Sequence, residues 1–192
     1  MYKKHDSFFA LKHQQQQKKN TYIIERINKT SKDTLITEKL SLEHKKLLKL
    51  AVQDLLDNTE SSSKIKFNLK SNVVAEIDTI ADSDLPRYLV HRYRYEIFPQ
   101  KKIVDNFPPY LQIEPTSICN YRCVFCFETD KTFTDKKNGY MGQMSLDLFK
   151  KIVDKAEGNV EFISIASRGE PLACPDISKM LEYTVGKFLN LK

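Results

Sequence analysis

Three cysteines fall within one short stretch, Cys119-Asn120-Tyr121-Arg122-Cys123-Val124-Phe125-Cys126, at the spacing C-x3-C-x2-C. Thiolates are soft donors, and three of them close in sequence with no obvious fourth describe a metal site with one position left open. A zinc site with a distant fourth ligand and part of a ferredoxin-type cluster are the two other readings of such a spacing. Zinc asks for a partner pair of cysteines or histidines, and none is suitably spaced. His5, His13, His44 and His91 show no ligand spacing to one another and are assigned no role. The bacterial ferredoxin run does not match either, although Cys174-Pro175 resembles its end. Cys174 is read as a small buried thiol.

Elements that could hold such a loop flank it on both sides. Upstream, Tyr110-Leu-Gln-Ile-Glu-Pro-Thr alternates at Leu111 and Ile113 and predicts a strand. The cysteines then leave the carboxyl end of a strand, where α/β sheets place their ligands. Downstream, Glu128 to Gly142 is polar, with Gly139 and Gly142 as turn residues. Ser145 is positioned to cap a helix carrying Leu146, Phe149, Ile152, Val153 and Ala156 on one side, and Gly158 ends it. Val160-Glu-Phe-Ile-Ser-Ile-Ala predicts a strand covered on both faces. The next loop is Ser167-Arg168-Gly169-Glu170-Pro171, and Pro175 and Asp176 open a helix with Ile177, Met180, Leu181, Val185 and Phe188. Strand, helix, strand, helix makes two units of a parallel α/β fold.

The first hundred residues are chemically quiet. Tyr22-Ile-Ile-Glu-Arg-Ile and Thr34-Leu-Ile-Thr predict short strands, and Ser41 caps a helix to about Leu56 with Leu48, Ala51, Val52 and Leu55 on one face. Asn58 to Ser63 reads as a loop. Lys64 to Lys70 alternates at Ile65, Phe67 and Leu69 as a half-buried strand, with Val73 to Ile77 pairing across a Ser71-Asn72 turn. Asp84 and Pro86 start a helix bearing Arg92-Tyr93-Arg94-Tyr95. Interleaved arginines and tyrosines can stack on bases; the reading taken is a helix that packs its aromatics on the following domain with the arginines outward. Phe107-Pro108-Pro109 stiffens the chain before the strand at Tyr110. The domains expected are a flexible basic leader over 1–21, a small α+β region over 22–105, and an α/β region over 106–192.

The chain has 192 residues, a formal net charge of +6, 41% hydrophobic and 10% aromatic residues, enough for a globular core. Its lysines are dispersed among acids, which describes a solvated surface rather than a nucleic-acid site. No apolar run approaches the ~20 residues of a membrane span, and the N-terminus lacks an apolar signal region. Clustered cysteines in such a protein point to metal rather than to disulfides, with the cytoplasm as the default compartment.

A C-x3-C-x2-C loop after one strand and a Gly169-Glu170-Pro171 loop after the next resemble the radical S-adenosylmethionine superfamily. The run Tyr110 to Phe127 most resembles members with a C-terminal SPASM-type auxiliary-cluster domain. The resemblance implies that Cys119, Cys123 and Cys126 ligate three irons of a [4Fe-4S] cluster, whose fourth iron binds the amino and carboxylate groups of S-adenosyl-L-methionine. Reductive cleavage of that cofactor gives a 5′-deoxyadenosyl radical that abstracts hydrogen from substrate. Phe125 is then expected near the adenine, and Gly169 and Glu170 form the edge that meets the methionine ammonium. The superfamily often carries Gly-Gly-Glu-Pro; here Arg168 stands for the first glycine. An electron donor such as flavodoxin or ferredoxin is implied, together with a peptide or small-molecule substrate.

A complete barrel of this kind needs up to ~250 residues, whereas residues 110–192 hold two units. The expected fold is therefore the first two βα units of an incomplete radical SAM (β/α) barrel, truncated at its C-terminus, with Phe188-Leu-Asn-Leu-Lys as the approach to a third strand that does not form. A fragment of a longer enzyme is the leading reading. The alternatives are a non-catalytic iron–sulfur or metal-binding module, and a peptide-binding module over residues 22–105.

Overall fold

A buried stripe at i, i+4 and i+7, two isoleucines and a threonine whose hydroxyl donates back to the helix carbonyls, governs the first helix. Ile23, Ile27 and Thr30 lie on one buried face of α1 (Phe8–Lys32). The structure, a computed structural model, describes residues 8–57 and 65–191, with side chains from Lys19 onward. It divides into two compact units, Met1–Val104 and Asp105–Lys192.

The first unit is helical throughout its described residues, which corrects the α+β expectation. Tyr22 to Ile27 lies inside α1, and the stretch read as a leader is already helical from Phe8. Thr34–Thr37 is α2, capped by the Asp33 carboxylate at Leu35 N, 3.0 Å away. The helix opened by Ser41, α3 (Leu42–Leu56), runs as expected, with Ser41 Oγ accepting from His44 N at 3.1 Å. Val73 to Ile77 belongs to α4 (Ser71–Thr79), so Ser71-Asn72 starts a helix instead of turning a hairpin. The final helix, α5 (Leu85–Gln100), begins as expected at Asp84 with Pro86 in its first turn. The β-branched residues favoured strand locally. Their spacing (Val73, Val74, Ile77) also fits one helix face, and burial of that face outweighs propensity.

Residues 65–70 form no strand. Of the alternating Ile65, Phe67 and Leu69, only Phe67 is buried. It packs edge-on to Tyr93 at 6.0 Å, and its N–H donates to Asp54 Oδ2 at 3.0 Å. Alternation without a partner strand leaves an irregular segment pinned by one aromatic. The predicted loop at 58–63 lies outside the described residues. Arg26 ties α1 to the end of α4 by donating to Ile77 O at 2.7 Å, to Ile80 O, and to Asp82 Oδ1 at 2.6 Å. It thereby adds a second donor to Ile77 O, which already accepts from Ile80 N at 3.2 Å, and serves Ile80 O just past the helix end. The arginines of α5 do not all face outward. Arg94 is buried, and Arg92 pairs with Glu96 one turn on.

Tyr88 of α5 is fully buried and donates to Glu76 Oε2 at 2.5 Å. Burial first, and then the adjacent carboxylate, push its pKa far above the ordinary tyrosine range. The folded state thus keeps a proton that the unfolded chain releases near pH 10. The stabilisation is complete below that pH and declines above it, by up to about 1.4 kcal/mol per pH unit. Urea unfolding of the first unit between pH 9 and 11 is expected to show that decline, and Tyr88→Phe to flatten it.

The second unit is α/β. Strands β1 (Tyr110–Gln112), β2 (Phe162–Ser164) and β3 (Asn190–Leu191) form one parallel sheet in the order β1-β2-β3. Leu111 lies opposite Ile163, and Ile163 opposite Leu191. The third strand is therefore present in register, not merely approached. Three helices lie between the strands: α6 (Lys131–Thr134) and α7 (Leu146–Ala156) follow the cysteine region, and α8 (Ile177–Thr184) follows β2 and leads to β3. Ser145 Oγ caps α7 at Leu148 N, 3.3 Å away. Phe149, Val153 and Ala156 of α7 join Ile163, Ile165, Ile177 and Met180 in one apolar core, to which Cys174 also belongs. Val185, expected on the inner face of α8, instead follows its last turn and is exposed.

Candidate functional site

The loop that carries the three cysteines grows from a tightly bonded base. Thr116 and Ser117 are both buried. Ser117 Oγ accepts from Gly142 N at 2.7 Å and donates to Gly142 O at 3.2 Å, while Ser117 N donates to the same carbonyl at 3.0 Å. Met144 N donates to Pro115 O at 2.8 Å, and Thr116 bridges to Gln143 in antiparallel fashion. The polar stretch 128–142 thus returns to the foot of the loop it left. Gly142 is legible in sequence as a turn residue; its bonds to Ser117, 25 residues away, are not.

Above this base the loop opens to solvent. Cys123 is exposed, Cys119 and Cys126 are half-buried, and Phe125 is 89% exposed. Cys119 Sγ accepts from Tyr121 N at 3.4 Å, and Cys126 N donates to Cys123 O at 2.9 Å, which turns the chain between the second and third thiols. Among the described residues, no three His, Cys, Asp or Glu side chains are gathered as a ready metal cage. All four cysteines are free thiols. Cys174 stands apart from the loop chemistry as a buried member of the apolar core.

The loop after β2 is laced onto the loop after β1. Ile113 N donates to Ser164 O at 2.7 Å, Gln112 Nε2 to Ala166 O at 2.9 Å, Arg168 N to Glu114 Oε2 at 3.3 Å, and Glu170 N to Ile118 O at 2.9 Å. These bonds continue the β1–β2 pairing past the end of the sheet, partly through side chains. Gly169 sits between the last two at φ +72°, and a Cβ there would lie 2.2 Å from Thr116 O and 2.9 Å from Ser117 C. Only glycine permits both that conformation and that approach. Glu170 Oε1 accepts from Leu172 N at 3.0 Å, which caps a short 3-10 turn (Pro171–Ala173) and fixes the carboxylate's direction.

Two residues important to this arrangement are poorly announced by sequence. Ser117 carries no motif signal, and Arg168 is visible only as a substitution in a Gly-Glu-Pro loop. Arg168 reaches across to the segment after Cys126, where its Nε donates to Glu128 Oε1 at 3.3 Å and its Nη2 to Phe133 O at 2.8 Å. The guanidinium lies 5.7 Å from the centre of the Phe127 ring, and Phe127 in turn meets Phe133 edge-on at 5.4 Å.

No helix among the described residues is long and apolar enough to cross a membrane. No curated protein and no solved structure matches the chain. The cysteine loop, the glycine-bearing loop and the helices that follow each of them all fall within residues 113–188, which match the family model of the Radical SAM superfamily, and it is to that superfamily that this part of the chain is similar.

Proposed function

We propose that the second unit binds a [4Fe-4S] cluster through Cys119, Cys123 and Cys126, and binds S-adenosyl-L-methionine beside it, for radical chemistry on a further substrate. The observation that carries this reading is the lacing of residues 168–170 onto residues 114–118. It joins a three-thiol loop to a glycine edge with a fixed carboxylate, through one main-chain bond (Glu170 N to Ile118 O) and one to the Glu114 carboxylate (from Arg168 N), which no single motif would require.

The residues fit the groups. Three thiols and no fourth suit a cluster with one iron left for a non-protein ligand. The N–H of Tyr121 already directed at Cys119 Sγ is the kind of bond that tunes thiolate ligands of iron. Cys123 and its neighbours face solvent, so the loop can turn its thiols inward without breaking a core. When bound, the cluster supplies the electron that cleaves the sulfonium and releases a 5′-deoxyadenosyl radical. The protein's share is to hold and to exclude. Gly169 brings main chain close to Thr116 and Ser117 and shapes the edge. Glu170, oriented by Leu172 N, offers its second oxygen to an ammonium. Phe125, held out from the loop, offers an apolar ring to a nucleobase. A SPASM-type subgroup, an electron donor of the flavodoxin or ferredoxin kind, and a peptide or small-molecule substrate complete the proposal.

Anaerobic reconstitution of the full chain with iron and sulfide tests it. The reduced protein is expected to give a cluster EPR signal that changes on adding S-adenosylmethionine. A cluster whose signal is indifferent to the cofactor would leave a non-catalytic iron–sulfur module, and the radical reading would fail.

A further inference from the structure

We infer that Arg168 is a positioning residue that clamps the exit limb of the cysteine loop against the loop after β2, and so holds the cofactor-facing edge together; this rests on the function proposed above. Residues 168–170 already hold the entry side of the cysteine loop, through Glu114, Thr116, Ser117 and Ile118. What they lack by main chain alone is any hold on the exit side, residues 127–141. The Arg168 side chain supplies it.

Its contacts span that limb. Glu128 stands two residues past Cys126, Phe133 lies in α6, and Met141 Sδ, near the return to Gly142, is 4.0 Å from Nη2. Phe127 lies under the guanidinium, and the row of rings continues from Phe133 to Tyr140 at 6.0 Å. The Arg168 and Glu128 side chains are only 19% and 9% exposed, so the pair is well shielded from water, unlike the solvent-facing pairs elsewhere on the surface. A planar fork is needed, because one group must satisfy a carboxylate and a carbonyl while lying on a ring. Glycine, which often occupies this position in the resembling pattern, could make none of these contacts, so the clamp depends on the arginine at 168.

The test uses the full chain and the variants Arg168→Ala, Arg168→Lys and the double variant Arg168→Ala/Glu128→Ala, which leaves no orphaned carboxylate. In the apo protein, trypsin cleavage at Lys131, Lys136 and Lys137 reports opening of the limb, with cleavage at Lys45 and Lys49 of the first unit as internal control. Arg168→Ala and the double variant are expected to raise limb cleavage about ten-fold while the control sites stay unchanged. After reconstitution, the cluster signal without cofactor should match wild type, since the thiols are intact. The S-adenosylmethionine concentration giving half the EPR change should rise about ten-fold in both, with Arg168→Lys in between. Raised cleavage together with a shifted titration supports the assignment. Unchanged cleavage overturns it, as does a double variant that behaves as wild type, for then Arg168 merely neutralises Glu128. Raised cleavage with an unshifted titration reduces Arg168 to a structural role and also overturns it. A wild type that holds a cluster but does not respond to the cofactor sinks the proposed function and the cofactor part of this inference, while the cleavage results still decide the clamp.

Discussion

Cys123→Ala is expected to leave the apo chain as stable as wild type and to remove its capacity to hold iron and sulfide. The side chain is exposed, so truncating it opens no cavity, and surface changes of this kind stay within about 0.5 kcal/mol. Two remaining thiols cannot replace the third, because a cubane cluster with one iron reserved for a non-protein ligand needs all three. Iron and acid-labile sulfide after anaerobic reconstitution should fall from about four per chain to background. Cys174→Ala provides the opposite pattern. That thiol is 3% exposed among Ile113, Ile177 and Met180. Its loss should cost about 1 kcal/mol of stability through the small cavity left behind while iron uptake persists. Retention of a full cluster by Cys123→Ala would refute the ligand set; loss of it in Cys174→Ala would extend that set to the core.

Gly169→Ala should disrupt the site from the other side. The residue sits at φ +72°, which costs a side-chain-bearing residue about 1–2 kcal/mol, and its Cβ would meet Thr116 O at 2.2 Å. Backbone is the obstacle, and Thr116 is itself locked by bonds to Gly142 and Ile118. The loops must separate, breaking the Glu170 N to Ile118 O bond with them. A destabilisation of at least about 3 kcal/mol is expected in urea unfolding of the second unit, together with weakened S-adenosylmethionine binding. Gly158→Ala separates conformation from collision. Gly158 has φ +77° with nothing within 4 Å of its Cβ position, so it should lose only the backbone term of about 1–2 kcal/mol. Equal losses at the two positions would show that the contact with Thr116 carries no weight.

The second unit was far more legible than the first, and the difference has a physical cause. In a parallel α/β unit each strand ends in a loop and each helix in a cap, so Ser145, Pro175 and the apolar run 160–166 announce element type within a few residues. The helical first unit offered β-branched residues, Ile23, Ile27, Val73 and Val74, in windows too short to separate a period of two from one of 3.6. Only the packing of those windows in a helical unit decided between them. The segment at 65–70 misled for a related reason, since alternation specifies which residues face inward but not whether a partner strand exists to receive them.

The candidate chemistry could be read in order along the chain because ligand type and ligand spacing are local properties. Cys119, Cys123 and Cys126 lie on one loop, and thiolate softness does not depend on fold. The need for glycine at 169 was also foreshadowed, but not its reason. That it presses against Thr116 and Ser117 follows from bringing two strand ends side by side in a parallel sheet. Arg168 lies wholly on the tertiary side. Its partners Glu128, Phe133 and Met141 are 27 to 40 residues away. No spacing rule links a loop residue to a distant segment, so a departure from glycine became a clamp only once the chain had folded back on itself.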